Sequence, residues 1–223
     1  MTLAIDPFHE RVAKIALAVA EKYGFVLGGG LALIAHGTVS RPTTDIDLFG
    51  PETASVVAAA DAIRVALRGA AIRCEDVPYE SGLSQVIDGM DQHMVEMVAY
   101  RPDSDSDSDG VALSLGRLDR SRRPVMLSIG PVMDLRDLIA YKVAALVTRA
   151  EVRDFVDVSV FLAERTPQEL LTLARRVDPA LEDEDIVAVS RRLDQTPDRA
   201  FGPYRLEPDA IALLRSRFAV WPR

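Results

Sequence analysis

Two carboxylates stand one residue apart in a segment that alternates acidic and apolar residues, Asp45-Ile46-Asp47-Leu48-Phe49. This alternation predicts a β-strand, on which Asp45 and Asp47 share one face about 6.6–6.8 Å apart along the backbone. Side-by-side carboxylates repel and raise each other's pKa. A hard divalent cation relieves that repulsion, and Mg²⁺ is typically bound by one or two carboxylates together with substrate phosphates. The segment therefore predicts a site for Mg²⁺ (or Mn²⁺) and a phosphate-bearing ligand.

A glycine-rich turn precedes this strand and could receive the phosphate. The apolar residues 25–27 predict a short strand that ends at Gly28-Gly29-Gly30, and residues 31–36 predict a short helix. Glycines allow backbone N–H groups to approach a phosphate closely, and the start of the following helix adds a favourable dipole. Glycine turn, short helix and Asp-x-Asp strand in this order indicate a nucleotide-binding arrangement.

The elements that must position these residues change in character along the chain. Helices are predicted over residues 8–23 and 53–68, and strands over 85–87, 93–99 and 125–129. The alternating acidic run Asp103–Asp109 predicts a solvated loop. After Pro131 every predicted element is a helix: residues 135–148, 153–163, 167–176, 185–193 and 208–218. The coarse expectation is an α/β first part followed by a helical second part.

Length and composition exclude several classes of protein. A chain of 223 residues fits one domain or two small ones, and its single cysteine, Cys74, cannot form an internal disulfide. No apolar run reaches the ~20 residues that span a bilayer, and the N-terminus lacks the features of a signal peptide. We therefore expect a cytoplasmic enzyme or binding protein with no membrane partner. The net charge of −8 disfavours unspecific coating of nucleic acid.

The sequence resembles the AbiEii and MenT-type nucleotidyltransferases, which often act as toxins of bacterial toxin–antitoxin pairs within the polymerase-β-like superfamily. The glycine turn and the Asp-x-Asp strand match the pattern GGxAL…HG…R-x-T-x-DIDLF. A second block, from Lys142 through Arg149 to Arg153-Asp154 and Asp157, matches K-x-x-A-L…R…R-D-x-x-D. The two blocks also occur in the order and at the separation that the family shows.

The resemblance implies a fold and an activity. The fold is the α/β, polymerase-β-like mixed sheet with helices in residues 1–130, followed by a helical domain in residues 131–223 that completes the active-site cleft. The activity is metal-dependent transfer of a nucleoside monophosphate from a nucleoside triphosphate, with ATP among the candidates, to an acceptor hydroxyl. A tRNA end is one such acceptor, and a cognate antitoxin is the implied protein partner.

The resemblance also assigns roles to individual residues. It implies that Gly29 and Gly30 hold the triphosphate with Thr43 beside it, and that Asp45 and Asp47 bind the metal.

Arg41 is a candidate phosphate contact, although it could equally be a surface arginine. Lys142 would neutralise phosphate charge, and Asp157 (or Asp154) would complete the site from the helical half. A third strand carboxylate, often the general base and a metal ligand, has Glu96 as its nearest candidate.

Alternatives remain open for the helical residues. Lys142 lies in an apolar helix, where a lysine that extends its ammonium to solvent is the simpler interpretation. Positions 142, 149, 153 and 157 are spaced 7, 4 and 4 residues apart. They share one face if the helix continues, which favours Asp157 over Asp154. The same spacing is also typical of a structural ion-pair ladder of Arg149, Arg153 and Asp157.

Two other functions compete with nucleotidyl transfer to RNA. For an RNA acceptor, which is a polyanion, the best site is the cluster formed by Arg117, Arg120, Arg122 and Arg123. The acidic net charge instead suits a cationic acceptor, as in aminoglycoside-type nucleotidyltransferases. The third hypothesis is a non-catalytic nucleotide-binding module of the same fold, which the absence of a third carboxylate would favour.

Overall fold

The computed structural model of the protein describes residues 5–77, 94–102 and 109–223. It separates into two compact units, one α/β and one helical. The α/β unit comprises the described residues up to 36 and those from 43 to 134. The helical unit comprises residues 37–42 and 135–223. The predicted strand at 85–87 and positions 103–108 of the predicted acidic loop lie outside the described residues.

The α/β unit contains three helices and seven strands among its described residues, with a 3₁₀ turn after the first helix. In chain order they are α1 (Pro7–Ala20), β1 (Val26–Leu27), α2 (Gly29–Ala35), β2 (Asp45–Gly50), α3 (Val56–Gly69), β3 (Arg73–Asp76), β4 (Met94–Tyr100), β5 (Gly110–Arg117), β6 (Val125–Leu127) and β7 (Gly130–Val132).

The described strands form one mixed sheet in the order β3-β4-β5-β2-β1-β7-β6. Strand β2 is the central strand of this order. It runs parallel to β5 on one side and antiparallel to β1 on the other. Its alternating sequence buries Ile46 and Leu48 completely and leaves Asp45 and Asp47 partly accessible on the opposite face. The mixed α/β architecture predicted from the sequence is thereby confirmed.

Helices α1 and α3 pack against each other, and both contact strands of the sheet. Each begins at a polar side chain that accepts a backbone N–H of its first turn, Asp6 for α1 and Ser55 for α3. The buried face of α3 carries Ile63 and Leu67, in keeping with the helical period of its sequence. The two helices thus bury the apolar face of the sheet.

The helical unit contains five α-helices among its described residues and a 3₁₀ segment over Asp198–Tyr204. They are α4 (Leu135–Thr148), α5 (Val152–Phe161), α6 (Pro167–Val177), α7 (Asp183–Gln195) and α8 (Pro208–Phe218). Phe218 meets Phe155 edge to face at 5.5 Å and Trp221 at 5.7 Å between ring centroids. These aromatic contacts join α5, α8 and the C-terminal residues in one core. The helical second part is confirmed.

Three details of the sheet differ from the sequence prediction. Strands β3 and β5 were not predicted, because β3 is largely polar and β5 follows directly on the acidic run. The single strand expected over 125–129 is instead β6, followed by a tight turn into β7. Gly130, with φ +130°, makes this reversal. Within the described residues, none of the helices combines the length and the hydropathy required to cross a bilayer.

Candidate functional site

The glycine turn after β1 is the first turn of α2. Gly28 is the N-cap in extended conformation, and the helix begins at Gly29, two residues earlier than the sequence pattern predicted. The first helical hydrogen bond runs from Ala32 N to Gly28 O at 3.2 Å. The N–H groups of Gly29, Gly30 and Leu31 precede this bond, as is usual in the first turn of a helix. Gly29 and Gly30 therefore present backbone donors where the triphosphate contact was expected.

Asp47 and Gly29 are in direct contact. A β-carbon at residue 29 would lie 1.7 Å from Asp47 Oδ2 and 2.6 Å from Asp47 Cγ. Gly29 also has φ +61°, a conformation that side chains with a β-carbon rarely adopt. The backbone bond from Gly28 N to Asp47 O, 2.8 Å long, fixes the turn against β2. Both sterics and backbone conformation thus require glycine at position 29.

Asp45 begins β2 on the same face as Asp47. Its Oδ1 accepts a hydrogen bond of 2.8 Å from the Thr44 hydroxyl. Thr43, the residue expected beside the triphosphate, lies half-buried in the short segment just before the strand.

His9, in the first turn of α1, is near enough to Asp45 to sense its charge and was not identified from the sequence. Burial lowers the pKa of this imidazole and Arg101 lowers it further, and together these outweigh the raising effect of Asp6 and Asp45. No motif of residues 6–10 signals this position.

Glu96 lies in one lateral row with Asp47. The residue of β5 that pairs with both is Ser114, which is opposite Asp47 in the parallel pair and opposite Glu96 in the antiparallel pair. Paired residues of neighbouring strands project from the same face, so Glu96, Ser114 and Asp47 face the same side of the sheet. With strands spaced about 4.8 Å apart, the backbones of Asp47 and Glu96 are roughly 10 Å apart.

The Asp45 and Asp47 carboxylates suit a hard divalent cation. The Asp47 carboxylate can lie against the first turn of α2 only because Gly29 has no side chain. The described residues contain no group of three His, Cys, Asp or Glu side chains that could hold a metal ion. Two carboxylates that share the ion with substrate phosphates are the usual Mg²⁺ arrangement in nucleotide enzymes. The residues present therefore fit a cation that arrives with a triphosphate.

The helical unit brings three predicted site residues together at one buried carboxylate. Arg41 donates to Asp157 in bidentate fashion, from Nε to Oδ1 at 2.6 Å and from Nη2 to Oδ2 at 2.8 Å. Lys142 Nζ lies 2.9 Å from Asp157 Oδ2. The side chain of Asp157 is 0% exposed, against 4% for Arg41 and 11% for Lys142. Lys142 thus forms a buried ion pair rather than extending to solvent alone.

The charges of this trio stabilise one another. Burial by itself raises the pKa of Asp157, but Lys142 and Arg41 outweigh it and the pKa lies below its ordinary value. Burial lowers the pKa of Arg41, and its bonds to Asp157 more than compensate, so that pKa is raised. The Arg41 guanidinium also lies 5.7 Å from the centre of the Tyr204 ring. Asp157 and Arg41 are therefore both charged near neutral pH.

Asp154 has different partners from Asp157. Arg149 donates to both its oxygens, from Nε at 2.9 Å and Nη2 at 3.0 Å, and Glu151 N donates to Oδ2 at 3.3 Å. Between Thr148 and Val152 the chain leaves helical conformation, with Ala150 at φ +49°. The continuous helical face is therefore interrupted, and the hypothesis of a ladder of Arg149, Arg153 and Asp157 is wrong. Asp157 is the one of the two carboxylates that contacts Lys142.

The arginine cluster follows the end of β5. Arg117 pairs with Gly50, three residues beyond Asp47 on the neighbouring strand and about 10 Å further along it. Arg117 donates to Ala54 O and Arg120 to Gly24 O, so these two side chains also brace the end of the sheet. Arg122 and Arg123 are exposed. Arg117 therefore lies beside the end of β2 that is opposite Asp45.

The partner of Arg41 was missed by the sequence reasoning. Its carboxylate stands 116 positions further along the chain. In the sequence, Arg41 and Asp157 each belong to a block that matches the family pattern. Nothing in the two blocks indicates that these residues pair.

Comparison with known proteins identifies related sequences and folds. Residues 14–219 match the profile of the family described as Nucleotidyl transferase AbiEii toxin, Type IV TA system. Among curated proteins, no sequence matches.

Two solved structures share the fold over most of the chain. The crystal structure of JHP933 from Helicobacter pylori has a TM-score of 0.61 at 13% identity, over 96% of this chain and 91% of its own. MenT4, a nucleotidyltransferase toxin from Mycobacterium tuberculosis, also has a TM-score of 0.61, at 15% identity, over 96% of this chain and 82% of its own. At these identities the similarity shows the fold alone.

Proposed function

The chain belongs to the AbiEii nucleotidyltransferase toxin family, and from this premise we propose that it transfers a nucleoside monophosphate from a nucleoside triphosphate to an acceptor hydroxyl. The reaction depends on Mg²⁺ or Mn²⁺ and acts against growth of the host cell. A cognate antitoxin is the protein partner that the family suggests.

The contact between Asp47 and Gly29 carries this proposal. Nucleotidyl transfer requires that the triphosphate, its backbone donors and its cation meet at one point. Here the carboxylate of Asp47 reaches the first turn of α2 because residue 29 has no β-carbon. Asp45 lies two residues before Asp47 on β2 and projects from the same face. The two carboxylates and the first turn of α2 therefore lie together where a triphosphate and its cation would bind.

The chain's own residues divide the chemical work. A divalent cation at Asp45 and Asp47 would neutralise the phosphates and stabilise the pyrophosphate leaving group. Gly29 and Gly30 bind the triphosphate through backbone N–H groups, with Thr43 beside it. Glu96, on the same face as Asp47, takes the proton of the attacking hydroxyl. Lys142 offsets phosphate charge, and Arg41 supports it through Asp157.

Two classes of molecule are candidates for the acceptor, RNA and a cationic small molecule. Exposed Arg122 and Arg123 favour an RNA acceptor such as a tRNA end, because guanidinium groups neutralise phosphates. The net charge of −8 favours a cationic small molecule of the aminoglycoside type. We adopt RNA as the first candidate and the cationic small molecule as the second. The position of Glu96 in the row of Asp47 supports turnover over a non-catalytic module.

Incubation with each labelled nucleoside triphosphate and total RNA tests the proposal. We expect label in an RNA fraction with Mg²⁺ or Mn²⁺, and none with a chelator or with Asp47→Asn. Glu52→Gln, which changes an exposed carboxylate in the turn after β2, is the matched control and should label normally. Label on an aminoglycoside instead of RNA would replace the first acceptor with the second. If neither RNA nor the aminoglycoside is labelled, the result would contradict nucleotidyl transfer.

Expression in a bacterial host tests the toxin activity. The wild-type chain should arrest growth, and the Asp45→Ala variant should not. Equal growth of both strains would contradict the toxin role, and acquired drug resistance would support the cationic acceptor.

A further inference from the structure

Both oxygens of the Asp157 carboxylate face a cation. Oδ1 accepts Arg41 Nε at 2.6 Å, whereas Oδ2 accepts Arg41 Nη2 at 2.8 Å and lies 2.9 Å from Lys142 Nζ. The side chain is fully buried. Two cations already neutralise this buried carboxylate, and the loss of a buried charged partner is costly. Its surroundings therefore suit a group that holds other groups in place.

Lys142 is the member of the trio with access to the surface. Its side chain is 11% exposed, against 4% for Arg41 and 0% for Asp157. An ammonium carries three N–H donors, so one contact with Asp157 leaves donors for a phosphate. Arg41 directs Nε and Nη2 to Asp157 and Nη1 to Pro42 O at 3.0 Å. Arg41 is thus committed to protein acceptors, and Lys142 is the cation suited to meet substrate.

The charge balance agrees with this division. Arg41 and Lys142 together carry two positive charges against one on Asp157, which leaves one positive charge in excess. The charge of Asp154 also acts on Arg41, but Arg149 donates to both of the Asp154 carboxylate oxygens and offsets that charge. A positive charge on a long, flexible side chain stabilises a bound phosphate best where the side chain is held in one direction.

We infer that Asp157 is a positioning residue rather than a catalytic one. Its carboxylate, held in plane by two parallel bonds from Arg41, fixes the direction of the Lys142 ammonium and touches neither substrate nor metal. Arg41 correspondingly supports Asp157 and is not a phosphate contact. This inference rests on the proposed function, in which Lys142 offsets phosphate charge.

Amine acylation followed by mass spectrometry tests the geometry without turnover. The chain has only three lysines, so Lys14 and Lys22 serve as internal references. In Asp157→Asn, we expect Lys142 to be acylated several-fold faster than in wild type, while Lys14 and Lys22 keep their rates. Arg41→Lys keeps the charge but loses the fork of two bonds, and it should give a smaller increase. Unchanged labelling of Lys142 in both variants would overturn the inference.

The response to Mn²⁺ separates positioning from metal binding. In Asp157→Asn, we expect kcat to fall at least tenfold while the Mn²⁺ concentration for half-maximal activity stays within twofold of wild type. Asp47→Asn should shift that concentration or abolish activity. A shifted Mn²⁺ requirement in Asp157→Asn would identify a metal ligand and overturn the inference.

Folding and turnover have their own controls. Far-UV circular dichroism establishes whether Asp157→Asn is folded. If it is not folded, Arg41→Lys is used instead for the acylation rate of Lys142 and for the Mn²⁺ response. A wild-type protein that transfers no nucleotide would contradict the proposed function. The labelling of Lys142 would then still decide whether Asp157 holds that side chain.

Discussion

The carboxylate of Asp47 lies against Gly29 so closely that a β-carbon at residue 29 would stand 1.7 Å from its Oδ2. Asp47 belongs to the central strand β2, and Gly29 is the first residue of α2. The contact therefore places a carboxylate of the sheet against the first turn of a helix. Among the glycines that the structure describes, an added β-carbon meets its nearest neighbour most closely at position 29.

Gly29→Ala should abolish most triphosphate binding. Gly37 provides a matched control, because it has φ +71° with nothing within 4 Å of an added β-carbon, whereas Gly29 has φ +61° and the clash with Asp47. Gly37→Ala should cost only the backbone strain of about 1–2 kcal/mol. Gly29→Ala should cost more in the free energy of unfolding and weaken triphosphate binding at least tenfold. Calorimetric titration and urea unfolding measure both quantities, and equal effects of the two substitutions would contradict this prediction.

Arg41→Met should destabilise the protein more than Lys142→Met. Arg41 makes two bonds to the buried Asp157 and Lys142 makes one contact, so loss of Arg41 should cost about 3–5 kcal/mol and loss of Lys142 distinctly less. Arg64→Met is the control, since its partners Asp61 and Asp76 are exposed and the loss should stay below about 1 kcal/mol. Urea unfolding at pH 7 ranks the three variants. The reverse order for Arg41 and Lys142 would be inconsistent with the bidentate pair as the stronger support.

The acid sensitivity of the protein should depend on Asp157. Its pKa in the folded protein is lowered below the ordinary value, because Lys142 and Arg41 outweigh the effect of burial. The stabilisation is thus fully present above the unfolded pKa of roughly 4 and is lost as the pH falls through the folded pKa. Between pH 5 and pH 3, the free energy of unfolding of wild type should fall more steeply than that of Asp157→Asn. Parallel curves for wild type and Asp157→Asn would refute the prediction.

Charge reversal at Arg122 and Arg123 should weaken RNA binding without changing triphosphate affinity. The two residues are exposed and follow β5, whose last residue, Arg117, pairs with Gly50 about 10 Å along β2 from Asp47. Each RNA phosphate that the variant no longer neutralises should reduce the slope of log affinity against log salt by nearly one unit. The same double reversal at Arg191 and Arg192, exposed on α7, is the control. An unchanged salt dependence in the Arg122 and Arg123 variant would argue against RNA at this cluster.

Local sequence patterns predicted many elements closely. Helices α4 and α8 occupy the predicted ranges, because apolar residues at helical spacing and a proline or acidic start act within a few residues. The alternation in β2 likewise gave the shared face of Asp45 and Asp47. Strand β3 was missed because it is largely polar, and its pairing with β4 rather than its composition makes it a strand. Strand β5 was missed because it follows directly on the acidic run, although Val111, Leu113 and Leu115 alternate along it.

What the sequence determined by itself was the arrangement of residues that are neighbours in the chain: two carboxylates on one face of β2, and glycines at the start of α2. The tertiary structure decided which distant groups meet. Glu96 joins the row of Asp47 only through the sheet order, with Ser114 of β5 between them. Asp157, rather than Asp154, meets Lys142 because the helix breaks near Ala150. Helical and strand periods act over a few residues, whereas strand order and buried ion pairs depend on the packing of the whole chain.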